Sequence, residues 1–195
     1  MRKCSVDIVT GFLSSGKTSF INIFLNKTLK REETLVVQCE SGSEKLSENL
    51  SKKLNVNIKN FSSNKELTEE RLIRLIKFYK PERMILECNG VEDLTYLIEI
   101  FNRQKIRSYF KLTGVITLVD ALTFNMFLKN LGHIILPYIE KSDLVILNRC
   151  NTISTMQVDK NIDIIKNLND HAHILAAFDK NDLEVQINKA KVISA

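Results

Sequence analysis

Seven short apolar runs rich in β-branched residues, set apart by longer amphipathic stretches, constrain this chain most: CSVDIV (Cys4 to Val9), TLVVQC (Thr34 to Cys39), NVNIKNF (Asn55 to Phe61), RMILEC (Arg83 to Cys88), GVITLVD (Gly114 to Asp120), DLVILN (Asp143 to Asn148) and AHILAAF (Ala172 to Phe178). Such alternation is the pattern of repeated β-α-β units, which builds a mainly parallel sheet with helices on both of its faces. Between the runs, TEERLIRLIKFYK (Thr68 to Lys80) places Leu72, Leu75, Ile76 and Tyr79 on one helical face, and Pro81 stops it. Thr68 with Arg71 makes no full capping box. VEDLTYLIEIFNRQ and ALTFNMFLKNLG read as the next two helices, the second ending at Gly132, with His133 at the helix end. The polar stretch Ser41 to Lys53 reads as a mobile loop leading into a helix. Several strands end in a polar residue. Ligands of open parallel sheets bind beyond the carboxyl ends of the strands, so Cys39, Glu87 with Cys88, Asp120 and Asn148 are expected to line one crevice.

Residues 1–195, 44% hydrophobic, suffice for one core, and the whole chain reads as a single domain. The net charge of +5 is spread along the sequence, and no basic stretch is interleaved with aromatics, so nucleic acid is not an expected partner. No apolar run is long enough for a membrane span, and Asp7 and the Gly-rich turn interrupt the N-terminal apolar run before a signal-peptide core forms. A cytoplasmic location is expected. The four cysteines, Cys4, Cys39, Cys88 and Cys150, contain no CxxC pair and suit reduced thiols.

The first strand candidate runs into GFLSSGKT, Gly11 to Thr18, which opens the helical stretch KTSFINIFLNKTL. This Gly-x-x-x-x-Gly-Lys-Thr spacing, in a strand-to-helix turn, lets backbone N–H groups point inward at a polyphosphate while the helix N-terminus adds partial positive charge. Lys17 is expected to reach the β- and γ-phosphates and the Thr18 hydroxyl to ligate Mg²⁺, with Gly11, Ser14, Ser15, Gly16 and Ser19 completing the nucleotide cradle. A Mg²⁺–triphosphate site needs an acid close by. RMILECNG supplies Glu87 at a strand end, then Gly90, whose amide is free of a side chain that would keep it from a γ-phosphate.

GFLSSGKTSFIN, ECNG, GVITLVDALTF and IEKSDLVILNR together resemble the CobW-type GTPases, relatives of the UreG and HypB metallochaperones, over Val6 to about Thr152. The resemblance implies a three-layer P-loop NTPase fold of the SIMIBI class, Mg²⁺-dependent GTP hydrolysis, and delivery of a metal or metallocofactor to a client enzyme. It makes Lys17 and Thr18 the phosphate and Mg²⁺ residues, Glu87 the acid of the Mg²⁺ shell, and Asp120 a residue of the same crevice, with a helix-capping role as the plain alternative. The family's Asn-Glu-Phe-Gly-Glu switch segment falls on CESGS, where Glu40 and Gly42 match; Glu40 is thereby a candidate to orient water or Mg²⁺.

Three departures stand out. Where relatives carry Cys-x-Cys-Cys, this chain has FSSNKEL, without a cysteine, so metal handling by that motif is not inherited. Cys39 and Cys88, with Glu40 or Glu87, form a partial candidate site for Zn, Co or Ni, against the commoner reading of two small buried hydrophobes. His171 and His173 form a candidate surface pair. The guanine-reading Asn-Lys-x-Asp falls on Asn148, Arg149 and Asn151: the carboxylate that accepts from the guanine edge is an amide, which weakens guanine preference and matches xanthine better. Finally, CobW-type proteins typically carry a second, C-terminal domain that is not expected here; in size the chain resembles the minimal UreG and HypB, which implies a nucleotide-dependent homodimer with a separate client. The first reading is therefore a slow GTP-using nucleoside triphosphatase. A nucleotide-binding module with little hydrolysis that regulates a partner protein is the alternative, and a small-molecule kinase, for which no Arg-rich lid is found, comes third.

Overall fold

The computed structural model describes residues 3–27, 32–39 and 55–190. All seven expected strands form: β1 (Cys4–Thr10), β2 (Thr34–Gln38), β3 (Val56–Asn60), β4 (Arg83–Glu87), β5 (Phe110–Asp120), β6 (Leu144–Asn148) and β7 (His173–Ala176). They build one sheet in the order β3-β2-β4-β1-β5-β6-β7, every pair parallel. The helices are α1 (Lys17–Lys27), α2 (Glu69–Tyr79), α3 (Leu94–Asn102), α4 (Gln104–Arg107), α5 (Phe124–Glu140), α6 (Thr155–Leu168) and α7 (Lys180–Ala190). The expected loop at Ser41 to Lys53 lies outside the described residues.

Period-two alternation divides the strands between two sides of the sheet. Leu35, Val37, Met84, Leu86, Val6 and Ile8 enter one cluster with Leu72 and Ile76 of α2 and Leu97 and Phe101 of α3. Val36, Ile85 and Val9 enter another, with Phe20, Ile21 and Phe24 of α1 and Leu183 of α7. A third cluster joins Val145 and Leu147 of β6 to α5 and α6 through Ile139, Val158 and Ile165. The central strands, buried on both faces, are mostly apolar, which is why they read as near-continuous runs, while the edge strands β3 and β7 are partly exposed.

The helix ends follow local chemistry, with two corrections. Thr68 Oγ1 accepts from Arg71 N (3.4 Å) and caps α2, so half of a capping box suffices. Asp93 caps α3 through Thr95 N (2.7 Å), and the helix breaks at Arg103 (ψ 139°), so the run expected from Val91 to Gln104 is shorter than read and a separate turn, α4, follows. The helix expected to end at Gly132 is interrupted beside it, where Leu131 leaves helical geometry (φ −131°, ψ 29°), and a second segment, counted with the first as α5, runs on past Pro137 to Glu140. The apolar stripe of that second segment, Ile135, Tyr138 and Ile139, is buried. His133 lies exposed next to the kink.

Candidate functional site

The strand registers bring the carboxyl ends of β2, β4, β1, β5 and β6 together: Gln38 lies opposite Glu87, Thr10 opposite Thr117, and Asp120 opposite Asn148. Chain order reverses at β1, which is flanked by β4 and β5, and the Gly11–Thr18 loop rises from its end into α1. Gly11 (φ +132°) and Gly16 (φ +102°) turn the loop through backbone conformations that side chains resist, and Ser14 (φ 62°) joins them. Phe12 anchors the loop by packing its ring on Phe127 of α5, centroids 4.2 Å apart.

Lys17, almost wholly buried, donates from Nζ to Gly11 O (2.8 Å) and Phe12 O (3.1 Å), which holds the ammonium over the loop it belongs to. Thr18 Oγ1 donates to Glu87 Oε1 (2.6 Å), and Gln38 Nε2 donates to the other carboxylate oxygen (2.5 Å). Glu87 is itself buried. A hydroxyl and a carboxylate oxygen side by side at the foot of an anion-binding loop form a hard donor set, which fits Mg²⁺. Ser15 Oγ is buried and has no hydrogen-bond partner among the described residues, as a donor reserved for a phosphate would be. Ser19 stands in the first turn of α1. Gly90 is pressed against the loop: a Cβ there would lie 2.1 Å from Gly11 O, a backbone atom that no rotamer change can move.

At the other end of the crevice, Asn148 Nδ2 donates to Ser15 O (3.0 Å) and its Oδ1 accepts from Arg149 N (2.9 Å), tying β6 to the phosphate loop. Arg149 (φ 58°) donates to Ser14 O and pairs with Asp120 Oδ2 at 2.9 Å. Asp120 stands at the carboxyl end of β5, and its Oδ1 accepts from Leu122 N (2.9 Å) and Thr123 N (3.3 Å), closing the turn ahead of α5, whose N-cap, Thr123, makes no side-chain capping bond. Asn151 is apart from this group. It is exposed, and its backbone N–H donates to Phe178 O at 3.3 Å.

Glu40 lies outside the described residues. Cys39 and Cys88 share the apolar cluster beneath the sheet; burial pushes the Cys39 thiol from its ordinary 9.0 up to about 12 and raises Cys88 well above the same value. Among the described residues no group of three His, Cys, Asp or Glu able to hold a metal exists. His171 and His173 are both exposed. No helix among the described residues is long and apolar enough to cross a membrane.

Gln38 was not legible as a site residue. The polar end of β2 reads as Cys39, one residue later, and only the pairing of β2 with β4 brings Gln38 to Glu87.

The sequence profile of the CobW/HypB/UreG nucleotide-binding domain matches residues 5–176. The chain belongs to this family. The CobW/HypB/UreG match covers the phosphate loop, Glu87, Asn148 and all seven strands apart from the first residue of β1. Among characterised proteins the chain is similar to zinc-regulated GTPase metalloprotein activator 1 of Dictyostelium discoideum, 24% identical over 215 aligned residues that take in 89% of this chain and 45% of the relative. The chain thus spans less than half the length of that relative. Its fold resembles the Zn(II)-bound YjiA GTPase of E. coli (TM-score 0.70, 21% identity, 91% of this chain and 58% of the other). It also resembles the hydrogenase maturation factor HypB of Archaeoglobus fulgidus (TM-score 0.67, 15% identity, 99% and 91%). The family resemblance and the three-layer α/β fold expected from it both hold.

Proposed function

We propose that this CobW/HypB/UreG-family chain is a Mg²⁺-dependent, GTP-using nucleoside triphosphatase whose cycle assists delivery of a metal or metallocofactor to a client enzyme. The observation that carries the catalytic part is the cluster of Lys17, Thr18 and Glu87 at the foot of the glycine-turned loop, with Thr18 Oγ1 2.6 Å from Glu87 Oε1. In the reaction a water oxygen bonds to the γ-phosphorus as the bond to the β–γ bridging oxygen breaks, giving the diphosphate and inorganic phosphate. Lys17 exchanges its carbonyl acceptors for phosphate oxygens, and the loop amides take up the charge that develops there. Thr18 and Glu87 hold the cation, which when bound neutralises charge on the β- and γ-oxygens.

Turnover is expected to be slow. Arg149, on the rim, commits its guanidinium to Ser14 O and Asp120, and Glu40 keeps Gly42 but not the other switch residues that the resemblance implies. The delivery role is supported by the names of the similar proteins, a metalloprotein activator and a hydrogenase maturation factor. A nucleotide-dependent homodimer is part of the same reading. Steady-state phosphate release with GTP and with ATP, repeated on Lys17→Ala, tests it. Release that depends on Lys17 and needs no second substrate is expected; tight binding without release would favour a regulatory binding module.

A further inference from the structure

The segment 61–67 stands where the family's cysteine motif is missing, and it is not idle. Asn64 is 1% exposed, and its side-chain amide faces the backbone of Asn89: Oδ1 accepts from Asn89 N (3.0 Å) and Nδ2 donates to Asn89 O (3.4 Å). Glu92 closes the same unit. Its Oε2 accepts from Ser63 Oγ and Asn64 N, both at 2.8 Å, and its Oε1 accepts from Asn89 Nδ2 at 3.1 Å. Glu92 N adds a second bond to Asn89 O (3.2 Å), and Tyr138 of α5 donates to Glu92 O (2.7 Å).

These bonds fix more than the loop's position. Asn89 O and Gly90 N belong to one peptide plane, in which C=O and N–H point in opposite directions. With the carbonyl held towards Asn64 and Glu92 N, the Gly90 N–H faces away from that segment. Its own residue abuts Gly11 O, and the N–H has no acceptor among the described residues. A buried donor kept unpaired at the phosphate loop is costly unless a ligand completes it.

We propose that Asn64 and Glu92 are positioning residues that aim the Gly90 N–H at the terminal phosphate, so that segment 61–67 sets the preference for triphosphate over diphosphate. This rests on the nucleotide-binding reading above. A diphosphate has no γ-oxygen for Gly90 to meet, so the clamp acts on one nucleotide and not on the other. By linkage, anything that displaces segment 61–67 changes triphosphate affinity selectively.

The test is calorimetric titration of the full chain with Mg²⁺–GDP and with a non-hydrolysable Mg²⁺–GTP analogue, comparing wild type, Asn64→Ala and Glu92→Gln, each checked for its melting temperature. Asn64→Ala is expected to weaken the analogue about tenfold while GDP affinity stays unchanged, as loss of one oriented hydrogen bond predicts. Glu92→Gln, which keeps an acceptor for Asn64 N, should retain most of the preference. Equal weakening of both nucleotides, or of neither, overturns the clamp. Should Asn64→Ala not fold, amide hydrogen exchange on the wild type decides: Gly90 protected by the analogue but not by GDP supports the clamp, and equal exchange overturns it. Failure of the wild type to bind either nucleotide removes the nucleotide-binding reading and the clamp with it.

Discussion

The two ends of the crevice are built on different principles. At the proposed phosphate end, the site is built from backbone geometry: Gly11 and Gly16 at positive φ, Gly90 wedged on a carbonyl, and a lysine held over the loop by two main-chain oxygens. At the proposed base end it is built from side chains. Asn148 is fastened to Ser15 O, whereas Asn151, in the place of the guanine-reading acid, is an exposed residue held, among the described residues, through its backbone alone. Backbone recognition cannot be altered without disturbing the loop, but an exposed side chain can change without cost to the fold. At Asn151 the sequence departs from its family where substitution is cheap.

The largest effect separates hard from soft ligands at the phosphate end. If oxygen donors hold the cation there and the thiols below are only packing, then Cys39, whose thiol is pushed up by burial, carries far less thiolate near neutral pH than an ordinary thiol. All four cysteines are free and buried, so a thiol reagent at pH 8 should label the native protein slowly and the denatured protein at four sites. Fast labelling of Cys39 or Cys88 in the native state would reopen a metal site there.

Gly90→Ala tests the backbone end directly. Its methyl group would meet Gly11 O at 2.1 Å, so the phosphate loop or the Gly90 loop must move. A loss of about 1–3 kcal/mol is expected, read as a fall in melting temperature of several degrees. A variant of unchanged stability and nucleotide affinity would show that the contact is not tight.

Asn151→Asp tests the side-chain end. Restoring a carboxylate supplies charge-assisted acceptance of the guanine edge worth ~1.5–3 kcal/mol. GTP affinity should rise about tenfold or more and xanthosine triphosphate affinity should fall, while the melting temperature stays put. Competition of the two nucleotides against a fluorescent analogue gives the ratio.

The smallest effect lies in segment 61–67. Hydrogen bonds from Arg71 and Ser62 hold the Glu66 carboxyl down at about 2, against an ordinary 4.5. A carboxylate depressed in the folded state contributes stability that is present in full above about 4.5 and lost as pH falls towards 2. Arg71→Ala should return Glu66 towards its ordinary value in a carbon-detected titration and flatten the acid limb of stability slightly, since the pair is exposed.

How much of this could be read beforehand follows the same division. The central strands were legible because both faces are buried and their runs are mostly apolar, and the phosphate loop because its glycines stand at fixed spacing. The break beside Gly132 was legible, but the second half of α5 was not: Pro137 is a breaker locally, yet the burial of Ile135, Tyr138 and Ile139 outweighs it. Nor were Gln38, Asn64 and Glu92. Gln38 meets Glu87 49 residues on, and Asn64 meets Glu92 28 residues on, so neither pair leaves a local signal.

The central claim is that Lys17 and the loop around it grip the polyphosphate of a nucleotide. Its most direct measurement is a calorimetric titration of wild type and Lys17→Ala with Mg²⁺–GTP, with guanosine as the control lacking phosphates. Saturable binding by the wild type, none for guanosine and a loss of about 100-fold in the variant are predicted. Absence of heat with the triphosphate, or equal affinity in the variant, would contradict it.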